Sequence, residues 1–219
     1  MPRGNAKVVN INRTGLIGHD NVPNWEFIYK TSLVKDAGWD VGDVVNLPDG
    51  RSFTYAKSSG VCASGFGCDF TATGFQSYST PAAAAAVGDI KVVVTGGTHD
   101  AIAKDELKGA YFVSWPAALK DQFRGIIGND ASDANADFTI YLDGPLTYAL
   151  VSGSTGLEVF ENPYAALSSA SANASLGKAG IAATYVGATA TYFWVQTRGI
   201  GWIAPQSTMI GNEGVGAFY

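Results

Sequence analysis

Along residues 51–56 bulky and small side chains alternate: Arg51, Phe53 and Tyr55 interleave with Ser52, Thr54 and Ala56. A period of two marks a strand with one broad face and one narrow face. Residues 41–47 form a second such run, and Pro48-Asp49-Gly50 joins the two. Asp-Gly supplies the positive φ that a tight hairpin turn requires, so residues 41–56 predict a hairpin. Residues 25–30, 90–95, 110–115, 138–142 and 157–160 also read as strands, with a short one over 8–11. A second pair of strands is expected around 68–73 and 75–78.

The densest aromatic run is Tyr192-Phe193-Trp194-Val195-Gln196-Thr197, followed by Arg198-Gly199-Ile200-Gly201-Trp202-Ile203. Apolar residues on both faces of 192–197 predict a strand covered on both sides. Gly199 and Gly201 let the backbone bulge before Trp202 resumes. The run reads as core, its two Trp and one Tyr burying roughly 150–250 Å² each. Residues 181–186 lead into it through a Gly-Ala-Thr turn.

Helical signals are weak. Residues 81–88 are one Pro, five Ala, Val and Gly; the run is short and uncharged, which favours a connector over a helix. Residues 100–107 have room for one or two helical turns, with Thr98 or Asp100 as cap. Residues 122–128 lead to an Asp/Asn-rich turn, and 165–174 read as a loop or a weak helix. Strands recurring at roughly 10–15 residue spacing argue for an all-β protein, an antiparallel sandwich or barrel-like body. The expected organisation is an extended N-terminal arm over 1–24, a hairpin-rich subdomain over 25–80 and the main sandwich or barrel over 81–219. The last two can form one continuous body. The arm, broken by Gly15, Gly18, Asn21 and Pro23, is expected to lie on a neighbour or on its own body.

Composition narrows the function classes. Of 219 residues, 47% are hydrophobic and 15% charged, and 27 are glycine. Few charges suit a β-rich surface partly covered by neighbours. A net charge of −5 without any Lys/Arg cluster argues against nucleic-acid binding. No run of about 18 apolar residues predicts a membrane helix. The first five residues, Met-Pro-Arg-Gly-Asn, lack the apolar stretch of a secretory signal, so the product is expected to stay where it is made.

The reactive residues are scattered. Catalysis by a nucleophile needs a base, and the two histidines are His19, in the arm, and His99, in a polar turn. No Gly-x-Ser-x-Gly elbow is present. Gly199-Ile200-Gly201-Trp202-Ile203-Ala204 copies a dinucleotide-binding pattern, but Pro205 and Gly211 follow where that pattern needs a helix. Asp133-x-Asn135-x-Asp137 copies the opening of a calcium loop; Phe138 then stands where a glycine is needed and Gly144 where a glutamate is needed. Asp36, Asp40, Asp43 and Asp49 sit around turns, where carboxylates accept backbone hydrogen bonds. Cys62 and Cys68 could close a small disulfide loop, although two reduced thiols are the expectation for a cytosolic product. The reading is therefore of no catalytic residue, no cofactor and no metal.

Two segments resemble structural proteins of tailed bacteriophages, in particular capsid decoration (cement) proteins. One runs from Gly42-Asp43-Val44-Val45-Asn46-Leu47-Pro48-Asp49-Gly50 through Arg51-Ser52-Phe53-Thr54-Tyr55-Ala56. The other runs from Phe138-Thr139-Ile140-Tyr141-Leu142-Asp143-Gly144-Pro145-Leu146 through Asn162-Pro163-Tyr164 to Phe193-Trp194-Val195-Gln196-Thr197-Arg198-Gly199. The resemblance implies a β-rich virion protein on the capsid exterior, bound to the major capsid protein. Such proteins are often homotrimers, assembled in the host cytoplasm, that strengthen the shell without catalysis. A head-fibre or tail component that binds a host glycan is the alternative, with Trp39, Tyr78 or Trp115 as its aromatic signature. A glycan hydrolase built on remote carboxylates is the third reading.

Overall fold

Strand pairing divides the chain into two units, one inserted in the sequence of the other. The computed structural model describes residues 8–10, 25–70, 74–116, 120–169, 177–202 and 215–218; for 8–10, 74–78, 177 and 215–218 it describes the backbone alone. The protein is nearly all β, with two curled antiparallel sheets that each form a half-barrel.

Among its described residues the inserted unit holds six strands. They are β5 (Gly74–Ser79), β6 (Lys91–Val94), β7 (Tyr111–Trp115), β8 (Gln122–Asn129), β9 (Phe138–Leu142) and β10 (Gly156–Phe160), in the order β5-β10-β7-β8-β9-β6. Alternation along each strand fills the core: Phe112 from β7, Phe138, Ile140 and Leu142 from β9, Leu157 and Val159 from β10. Beyond β5 the chain stays on this sheet, where the Thr95 N–H donates to the Thr80 carbonyl at 2.9 Å. The boundary expected at residue 80 is therefore displaced. β5 belongs with β10, and the chain leaves the unit near Asn162.

Residues 81–88 form the connector, because their backbone groups find partners across the unit. The Ala82 N–H donates to Val93, and Ala85 exchanges both hydrogen bonds with Leu150. The helical turns expected over 100–107 are replaced by non-helical turns. Asp105 adopts φ +61°, outside the right-handed helix, and the Leu107 N–H donates to the Asn129 side chain at 2.8 Å.

The second unit contains β1 (Val8–Asn10), β2 (Val44–Asn46), β3 (Ser52–Lys57), β4 (Gly67–Phe70), β11 (Leu167–Ser169), β12 (Gly177–Ala182), β13 (Tyr192–Trp202) and β14 (Val215–Phe218). The sheet order is β1-β2-β3-β13-β12-β4-β11, with β14 on the far half of β13. β2 and β3 form the predicted hairpin. Its turn has the Gly50 N–H on the Leu47 carbonyl, and Gly50 alone in the turn takes positive φ, at +88°. That is the three-residue hairpin loop with a glycine bulge. β4 and β5 do not pair; they belong to different sheets, correcting the second expected pair. β11 lies within the stretch read as loop or weak helix. Of the expected arm, Val8–Asn10 pair in parallel with β2 of the same chain; the rest of 1–24 lies outside the described residues.

β13 is covered on both faces. Phe193 and Val195 pack with Ala56, Leu167 and Val186 on one side. Trp194 packs with Phe53, Tyr55 and Ile28 on the other. Residues 25–30 are not a strand: Glu26–Tyr29 form a 3-10 turn. A strand would send Phe27 and Ile28 to opposite faces, whereas the turn lays both against the sheet at Trp194. A register shift between Gln196 and Arg198 produces the bulge, and the Gln196 amide fills it by donating to the Arg198 and Ile200 carbonyls. The aromatic run is core only in its first half: Trp194 is 2% exposed and Trp202 is 60% exposed.

Candidate functional site

His99 is a structural clamp. Its Nδ1 lies 2.6 Å from the Asp100 carbonyl and its Nε2 3.0 Å from the Ala136 carbonyl. The ring meets Phe138 edge-on at 5.4 Å. Each ring nitrogen faces a backbone oxygen, so the imidazole lies between the 98–102 turn and the 132–138 turn, with its N–H donating to one of the two carbonyls. Asn135, at φ +61°, accepts the His99 N–H, and Asp137 accepts the Gly96 N–H at 2.8 Å. These two members of the calcium-like run thus bond the protein's own backbone. His19 lies outside the described residues.

Asp36, Asp43 and Asp49 accept backbone N–H groups, as their positions predict. Asp36 accepts the Gly38 N–H at 2.7 Å, and Asp43 accepts the Asp40 N–H at 2.8 Å. Asp40 pairs with Lys35. Asp49 accepts from the backbone and the guanidinium of Arg51, at 3.0 and 2.7 Å. Burial pushes its carboxyl up, but the hydrogen bonds and charge of Arg51 outweigh that and hold it below the usual carboxylate value. Residues 199–202 of the dinucleotide-like pattern are extended strand paired with β14.

The aromatic candidates separate. Trp39 stacks on Phe27 at 5.7 Å and meets Trp194 edge-on at 4.9 Å, as part of the second unit's core. The side chain of Tyr78 lies outside the described residues. Trp115 is on the outward face of the inserted unit's central strands, where a surface can be assembled residue by residue.

On β7, buried Phe112 and Ser114 alternate with outward Tyr111, Val113 and Trp115. On β8, Phe123 lies opposite Val113, and Gly125 lies opposite Tyr111. On β10, Phe160 is opposite Tyr111, Glu158 opposite Val113 and Gly156 opposite Trp115. Tyr111 therefore reaches diagonally to Phe123, and the rings stack at 5.2 Å and 18°. Phe123 is 59% exposed and Tyr111 37%. The two glycines admit neighbouring side chains: a β-carbon on Gly156 would fall on the Trp115 indole of β7, and one on Gly125 on the carboxylate of Asp143, just past β9. The result is an aromatic strip carrying one carboxylate, Glu158, and bordered by Asp143. Such a strip makes non-covalent contacts; aromatic rings are the side chains most enriched where proteins bind partners.

Trp115 is legible in the sequence as an aromatic candidate; its companions are not. Phe123 sits in 122–128, which shows no alternation of its own, and its place beside Tyr111 is a matter of β7–β8 register. The second unit also exposes apolar side chains: Ile200 and Trp202 share one face of β13, opposite Ala217 and Val215 of β14. Compared with known proteins, the chain matches no family model, no curated protein and no solved structure.

Proposed function

We propose that this chain is a structural virion protein that binds the outside of a tailed-phage capsid and stabilises the shell. Its partner is the major capsid protein, its working form a homo-oligomer, with a trimer favoured. The observation that carries the reading is the outward strip of Tyr111, Phe123, Trp115 and Phe160. The polar candidates described above are spent on holding turns, while large rings are left on an outward sheet face. That distribution suits adhesion better than turnover. It joins the resemblance carried by residues 42–56 and by 138–199.

Electron micrographs of purified particles with and without the protein test this. Added density on the head exterior supports a decoration role; density on the tail, or none on the particle, removes it. Deleting residues 1–24 is a second arm of the test. Weaker shell attachment or trimer formation by a folded body supports a role for the arm, and normal decoration removes that role.

One observation favours a second reading. Trp115 lies on the same face as the Tyr111–Phe123 stack and Glu158, and sugar rings stack their C–H faces on such rings while hydroxyls bond a carboxylate. On this reading the protein is a head-fibre or tail component that binds a host glycan. Binding on a glycan array that is lost in Trp115→Ala supports it over the capsid reading.

A further inference from the structure

The unit that bears the aromatic strip also bears the chain's negative charge. Residues 72–162 hold five Lys/Arg against eleven Asp/Glu, a net charge of −6, while the whole chain carries −5. The rest of the chain is thus close to neutral, at +1. A field of one sign over one unit favours a partner surface of the opposite sign.

Two of the carboxylates flank the ring pair. Alternation along β10 puts Glu158 on the outward face with Phe160. Glu158 and Phe123 are both partners of Val113, one from each side, so they share a row across three strands. Their backbones are two strand spacings apart, about 10 Å. In the next row Phe160, Tyr111 and Gly125 align, and the Asp143 carboxylate lies over Gly125. The Tyr111–Phe123 stack is therefore bracketed by Glu158 toward β10 and by Asp143 toward β9. No hydrogen bond or ion pair among the described residues uses either carboxylate. Two nearby cations are engaged elsewhere. The Arg124 guanidinium donates to the Phe123 and Pro145 carbonyls and to the Thr147 hydroxyl, and the Lys120 Nζ stands 5.6 Å from the centre of the Tyr148 ring.

We propose that this strip is an arginine-binding face: it seats a guanidinium presented by the protein partner, flat on the Phe123 ring and paired with Glu158, with Asp143 adding to the attraction. The inference deepens the capsid reading of the same surface and rests on it. The negative face of an aromatic ring attracts a cation, and Phe123 is exposed enough to receive one. A guanidinium is planar, so it stacks on the ring while its edge N–H groups donate to a carboxylate as a fork. A lysine ammonium, a point charge, cannot do both in one plane. A neutral or acidic partner would cover Glu158 without a counter-charge, which penalises the wrong surface.

The probe is a capped peptide in which glycine alternates with two arginines, titrated into the full-length chain. Its twin carries citrulline, the uncharged analogue of arginine, at both positions. Aromatic NMR signals are followed. The arginine peptide is expected to shift the Tyr111 and Phe123 rings saturably and to bind about fivefold more tightly than its twin. Glu158→Gln, which keeps the side chain's shape, should remove most of that preference. Equal or undetectable binding of the two peptides overturns the proposal, as do shifts confined to other residues or a preference that survives Glu158→Gln combined with Asp143→Asn. The wild-type comparison decides the matter without any variant. Decoration of particles is scored in parallel. Decoration without an arginine preference removes this inference and leaves the capsid reading; an arginine preference without decoration supports the arginine face and removes the capsid as its partner.

Discussion

Gly156 lies beneath the indole of Trp115, so closely that a β-carbon there would stand 2.0 Å from the Trp115 Nε1. The absent side chain on β10 is what lets the ring on β7 lie across the sheet. The obstacle is a partly buried ring rather than backbone, so the ring is what must shift.

Gly156→Ala is accordingly expected to displace Trp115 and break up the aromatic strip while costing about 1 kcal/mol of stability or less. Near-ultraviolet circular dichroism would report the moved indole, and a particle-binding assay the lost adhesion. Unchanged particle binding with a changed indole signal would separate Trp115 from function.

Trp194 is the centre of the second unit's aromatic core, with Phe27 at 5.5 Å, Trp39 at 4.9 Å and Tyr55 at 5.1 Å. Trp194→Ala should cost about 3–5 kcal/mol, by lost transfer energy and an unfilled cavity. Trp202→Ala, four-tenths buried on the same strand, should cost far less. Urea unfolding of both variants tests the ranking; equal losses would contradict the division of the run into core and surface halves.

Asn129 is fully buried at the end of β8 and replaces a stretch of secondary structure with one side chain. Its Oδ1 accepts the Leu107 N–H, and its Nδ2 donates to the Ala103 and Asp130 carbonyls, each at 2.8 Å. Asn129→Ala strips all three partners, an expected loss of about 2–4 kcal/mol. Asn129→Asp keeps the acceptor but turns a carboxylate oxygen toward two carbonyls, so it should be no better. Hydrogen exchange at Leu107 is the local readout, and continued protection there in the alanine variant would refute the assignment.

The Asp49–Arg51 pair gives a pH dependence of known sign. The carboxyl is held lower in the folded state than in the unfolded chain. Its contribution is therefore present above the unfolded value of about 3.9 and disappears as pH falls through the lower folded value. The pair is partly exposed, which limits it to roughly 0.5 kcal/mol. Asp49→Asn should trail the wild-type chain by that amount near neutral pH and converge with it in acid. A gap that widens toward low pH would reverse the sign.

The hairpin of β2 and β3 was readable because its determinants are adjacent: two alternating runs and a Pro-Asp-Gly turn. The buried positions of β7, β9 and β10 were readable for the same local reason, since alternate side chains must face opposite ways. The 3-10 turn at Glu26–Tyr29 was not, because Phe27 and Ile28 fit a strand until Trp194 is placed beside them. Nor was the aromatic strip: Tyr111, Phe123 and Gly156 come from three strands, and their meeting depends on register.

Short alternating runs, turn residues and scarce helix formers were enough to dictate an all-β chain and which side chains turn inward. Backbone hydrogen bonds dictate neither partner nor register, because every peptide group offers the same donor and acceptor. The pairing of β3 with β13, the insertion of one unit in the other and the exposure of Trp202 therefore emerge only when distant strands compete to bury their apolar faces together.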